Sequence, residues 1–109
     1  MAYDENLTRR IRLELGQLGD LTEKKMFGGV GFLLNGNMAC GVHGNDMIVR
    51  IGPQRHAEVL AYPGVRAFDM TGKPMTGWVT VSPEAIEDDQ AFREWLRWGV
   101  DFAASLPPK

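Results

Sequence analysis

The sequence is short of the side chains that do covalent and metal chemistry. Its 109 residues include one cysteine, Cys40, two histidines, His43 and His56, and two serines, Ser82 and Ser105. A single thiol excludes an intrachain disulfide framework and suits a reducing compartment. Cys40 and His43 have a Cys-x-x-His spacing. On a strand those positions face opposite sides, and only His56 remains to complete a set of four ligands. Neither serine stands in a nucleophile-elbow context, and both fall at expected helix ends. No catalytic residue, no metal and no cofactor is expected.

Long apolar runs are missing as well. None approaches the ~20 residues that span a bilayer, and Met1-Ala2-Tyr3-Asp4-Glu5 lacks the basic and apolar regions of a signal peptide. A cytoplasmic protein that does not engage a membrane is expected. Charge of one sign is scarce too: the net charge is −2, and Arg9, Arg10, Arg12, Lys24, Lys25, Arg93 and Arg97 are scattered. Tight direct binding of nucleic acid needs a basic face, so none is expected. Trp78 is no stacking platform for single strands, because residues 75–82 carry no Lys or Arg. The run Glu87-Asp88-Asp89 reads as helix capping, where negative charge is favourable, rather than as an acid–base pair.

What is present suffices for one domain over residues 1–109, with 44% hydrophobic residues to build a core. Leu7, Ile11, Leu15 and Leu18 fall within about an 80° arc of a helix, with Asp4 as N-cap and Gly19 as its stop. Leu13 lies outside that arc. Three strands follow at Met26–Leu34, Met38–His43 and Met47–Ile51, the first two joined by the hairpin-forming Asn35-Gly36. A short helix begins at Gly52-Pro53 and ends before Pro63. Val65–Met70 and Trp78–Val81 are two more strands, separated by the turn Thr71-Gly72-Lys73-Pro74. Ser82-Pro83-Glu84 starts another turn, Asp88 or Asp89 caps a long final helix, and Leu106-Pro107-Pro108-Lys109 cannot continue it. The order α-β-β-β-α-β-β-α predicts an α+β domain, helices packed mainly on one face of an antiparallel sheet.

The stretch Lys24-Lys25-Met26-Phe27-Gly28-Gly29-Val30-Gly31 matches neither a phosphate loop nor a dinucleotide fingerprint, and a hairpin follows it instead of a helix N-terminus. Met26, Phe27, Gly28, Gly29 and Gly31 therefore read as structural, the glycines marking a bend or a close backbone approach. That Met-Phe-Gly-Gly core, the hairpin and third strand, Gly72-Lys73-Pro74 before a Trp-bearing strand, and a Trp-bearing last helix resemble the TfoX (Sxy) N-terminal domain family. The resemblance runs from about residue 7 to residue 103. It implies a two-layer α/β sandwich of the kind seen in secretion chaperones and contributes no catalytic residues. Full-length relatives regulate natural competence, carry a second, C-terminal helical domain, and have transcription factors such as the cyclic-AMP receptor protein as proposed partners. This chain is expected to be a stand-alone member without that second domain.

In the final helix Phe92, Trp95, Leu96, Trp98, Val100, Phe102, Ala103 and Leu106 cover roughly 200°, twice the ~100° stripe of a surface helix. Either the helix is wedged between layers, or Trp98, Phe102 and Trp95 serve a second surface. The expectation is a non-enzymatic protein-interaction module, regulatory or transcription-related. Its partner is a protein, either a transcription regulator or a second copy in a homodimer. The alternatives are a small-molecule binder or enzyme using a cleft between sheet and helices, and a nucleic-acid-binding accessory.

Overall fold

The computed structural model describes residues 4–16, 21–26, 29–69 and 74–108. Leu18, Gly19, Phe27, Gly28, Met70 and the turn at 71–73 lie outside the described residues, as does the side chain of Met26. The elements are α1 (Glu5–Leu15), β1 (Leu21–Met26), β2 (Gly29–Leu34), β3 (Asn37–His43), β4 (Asp46–Arg50), α2 (Pro53–Leu60), β5 (Val65–Asp69), β6 (Pro74–Val81), a 3-10 turn (Pro83–Ile86) and α3 (Asp89–Ala104). The strands form one antiparallel sheet in the order β1-β2-β3-β4-β6-β5. The α+β class and antiparallel sheet follow the sequence reading.

One strand does not. The stretch read as a single strand from Met26 is two, with β1 preceding it and pairing Met26 with Gly29 and Leu21 with Leu34. In β1 the residues Thr22, Glu23, Lys24 and Lys25 are exposed, as suits a sheet edge, where charge discourages further pairing. The other end of the sheet also shifts: β6 begins at Pro74, within the expected turn, rather than at Trp78.

Local chemistry fixes the remaining ends. Asp4 caps α1, its carboxylate accepting from the amides of Asn6 and Leu7 at 2.9 and 3.2 Å. Asn35 and Gly36 both have positive φ (54° and 84°), as the two-residue hairpin requires. Asp88 caps α3 through a 3.0 Å bond from the Ala91 amide.

Period-two alternation puts Val30 and Phe32, Cys40 and Val42, Met47 and Val49, and Val79 and Val81 on the helix-covered face. Leu7, Ile11 and Leu15 of α1, Val59 of α2, and Phe92, Trp95 and Leu96 of α3 close over them. Leu13, outside the α1 arc, is exposed to solvent. Close approach accounts for the glycines of β2 and β3. A β-carbon at Gly29 would collide with the Val42 carbonyl, and one at Gly41 would lie 2.5 Å from the Val30 oxygen. Gly31 stands opposite Gly41 in register.

Helix α3 is seated by a bulge. The β2–β3 register slips between Phe32 and Leu33, so that Ala39 is the extra residue on β3. A β-carbon on Gly99 would lie 2.5 Å from the Ala39 carbonyl oxygen. Only glycine lets the middle of α3 lie directly on that strand.

Candidate protein-interaction cleft

The wide apolar arc of α3 divides in two. Phe92, Trp95, Leu96, Gly99 and Ala103 are buried, whereas Trp98 and Phe102 are half-buried on one flank and face the start of α2. Trp95, expected with them on an interaction surface, is 4% exposed and belongs to the core. It supports Trp98 from behind, edge to face, with ring centroids 5.0 Å apart and an interplanar angle of 81°. Tyr62 joins both rings, at 5.9 Å from Trp95 and 6.2 Å from Trp98.

The opposite wall begins at Gly52, whose φ of +90° and contact with Phe102 both demand glycine. A β-carbon there would lie 2.7 Å from the Phe102 ring. Gly77 fastens this wall to β6. Its carbonyl accepts from the amides of Ile51 and Gly52 at 2.7 and 3.0 Å, and its own amide donates to His56 Nδ1 at 3.1 Å. Helix α2 then starts with Pro53 and has no side-chain cap.

Between the walls lies a cleft of about 430 Å³, bounded by Ile51, Gly52, Pro53, Gln54 and Arg55 on one side and Trp98, Asp101, Phe102 and Ser105 on the other. The Arg55 guanidinium sits 5.1 Å from the Trp98 ring centre. Arg50 lies between two rings, 5.3 Å from Phe102 and 5.2 Å from Trp78. The Ser105 hydroxyl donates to the Phe102 carbonyl at 2.6 Å and is thereby engaged. The cleft lining therefore offers aromatic faces, the Arg55 guanidinium and one carboxylate.

Groups with shifted titration lie elsewhere. Burial pushes the Cys40 thiol up to about 12, leaving it protonated and unreactive at neutral pH. Cys40 is buried and His43 exposed, so the two do not converge. Hydrogen bonds from Arg12 (2.9 and 2.6 Å) hold the Glu23 carboxyl below its usual range. Among the described residues no group of three or more His, Cys, Asp or Glu is placed to hold a metal.

The sequence located the α3 wall but missed Gly52 and Arg55 on the lining and Tyr62 beside Trp98. Gly52-Pro53 marked a helix start, yet nothing in its periodicity says which later element that start will face. Gly29 and Gly31 lie in β2 and do not line the cleft.

No described helix is long and apolar enough to cross a membrane. Comparison with curated proteins gives no match. A family model described as the TfoX N-terminal domain matches residues 14–103, which takes in every strand and both walls of the cleft through Phe102. On that match, over most of its length, the chain belongs to the TfoX N-terminal domain family.

Proposed function

We propose that this chain is a non-enzymatic protein-interaction module whose docking surface is the cleft between α2 and α3. The carrying observation is the placement of Trp98 and Phe102. Both are half-buried on the cleft wall, although the same helix has a separate, fully buried face for the core. Aromatic side chains held this way are common interface anchors, because they bury large areas at small entropic cost. Resemblance to competence regulators supports a transcription regulator as the partner, with a second copy of the chain as the other occupant.

The test combines mass in solution by light scattering, binding to candidate regulators, and thermal unfolding. Trp98→Ala and Phe102→Ala are expected to weaken association while the protein stays folded. Unchanged association together with a large drop in melting temperature would refute the proposal. A volume of about 430 Å³ also falls in the range of small-ligand sites, which supports small-molecule binding as the second reading. A metabolite that raises the melting temperature, an effect abolished by Phe102→Ala, would favour it.

A further inference from the structure

Resting on the interaction reading, we infer that a second copy of this chain docks on α3, the two helices crossing antiparallel about a two-fold axis over Gly99. Arg97 of each copy then faces Asp101 of the other. The solvent ridge of α3 carries the inference. Gln90, Glu94, Arg97 and Asp101 fall within about 60° of one another on the side of the helix away from its buried residues, and all four are exposed. Neither Arg97 nor Asp101 has an ion-pair partner among the described residues, although they stand one turn apart. The cations on either side are engaged: Arg93 meets Glu14 at 3.1 Å, and Arg55 meets Glu58 at 3.8 Å.

Shape adds to charge. The ridge stands between two troughs, and Asp101 borders both. One is the α2–α3 cleft, with Trp98 and Phe102 on its α3 wall. The other, of about 270 Å³, lies between α1 and α3, with Leu15, Leu96 and Val100 as its apolar lining. A ridge flanked by apolar grooves is the relief that helix–helix packing uses, the ridge of one helix settling into the groove of the other.

A two-fold axis makes every contact reciprocal, so the register follows from the charges. A parallel crossing would set Glu94, Arg97 and Asp101 each against its own copy. An antiparallel crossing centred on residue 99 sets Arg97 level with Asp101 twice, Glu94 with Ala104 and Arg93 with Ser105, and no like charges meet. It also brings Trp98 and Phe102 of both copies near the middle of the contact, where aromatic anchors contribute most. A crossing that pairs Glu94 with Arg97 instead would set Phe102 level with Asp89.

Charge reversal tests the crossing, because both positions are exposed and take no part in the core. Dimer dissociation constants from sedimentation equilibrium are expected to rise about tenfold in Arg97→Asp and in Asp101→Arg, where two ion pairs become two like-charge contacts. An equimolar mixture of the two variants should recover wild-type affinity, since each heterodimer again holds two opposite-charge pairs. Thermal unfolding of each variant shows that the fold survives. A dimer sensitive to Trp98→Ala but indifferent to both reversals overturns the crossing, while the interaction reading stands. A dimer lost in Glu94→Arg but kept in Asp101→Arg overturns the register in favour of the Glu94–Arg97 one. A wild-type chain that stays monomeric at every soluble concentration overturns the second copy as occupant. The cleft is then left to a different protein, which binding to candidate regulators decides separately.

Discussion

At position 99 a β-carbon would lie 2.5 Å from a backbone oxygen of the β3 bulge, and a backbone oxygen in a paired strand has little freedom to retreat. Alanine is the better helix former by about 1 kcal/mol, so propensity alone says Gly99→Ala should stabilise. Overpacking at such a site costs about 1–3 kcal/mol and decides the sign. Gly99→Ala is therefore expected to lower the melting temperature, and a variant that melts higher would show that α3 is not seated on Ala39. The neighbouring tryptophans differ in the same manner. Trp95→Ala removes a core side chain and should cost about 3–5 kcal/mol, whereas half-buried Trp98 should cost distinctly less. Equal losses in denaturant unfolding would return Trp98 to the core.

Among the elements, those with a strong local period were readable and those defined by distant contacts were not. The arc of α3 and the alternation in β2 and β4 are local, and they emerge as expected. Strand β1 has no apolar face to read: Thr22-Glu23-Lys24-Lys25 needs only one pairing neighbour and a helix to contact. That helix contact is Arg12–Glu23, which ties α1 to the sheet edge at 2.6 Å. Because the folded Glu23 carboxyl titrates below its reference value of 4.5, the tie contributes fully above that pH and is lost as pH falls through the folded value. Glu23 is 36% exposed, so solvent screening holds the contribution below about 1 kcal/mol. A small stability deficit of Glu23→Gln at pH 7 should shrink as pH falls through the folded value, where the wild-type carboxyl takes up its proton. A deficit that stays constant down to the most acidic pH at which the protein is folded would mean that the charge is not its source. The cleft was half legible for the same reason as the fold. Its α3 wall lies within one helix, but its α2 wall is placed by Gly77, more than twenty residues further along the chain.

For the whole molecule the question is where its positive charge is engaged. Arg10 pairs with Asp89 and Arg93 with Glu14, binding α1 to α3, while Arg12, Arg55 and Arg66 meet Glu23, Glu58 and Asp46. Each of these exposed pairs adds little stability alone. Together they engage five arginines with the chain's own carboxylates, on a protein of net charge −2. Arg50 beside Phe102 and Arg55 on the cleft make no stripe along which a duplex could lie. Affinity for DNA grows with the number of phosphates neutralised together, and the logarithmic salt slope is about −0.9 per phosphate. Among the described arginines those outside these pairs, Arg9, Arg50 and Arg97, stand on three separate elements, so few phosphates can be neutralised together and only weak, sequence-independent contact is expected. Anisotropy with a duplex of random sequence at physiological salt is therefore expected to show no submicromolar complex, and Arg50→Gln should change little. A tight complex with a steep salt slope would mean that a basic face is assembled from residues in these ion pairs, and the partner of this fold would then be nucleic acid.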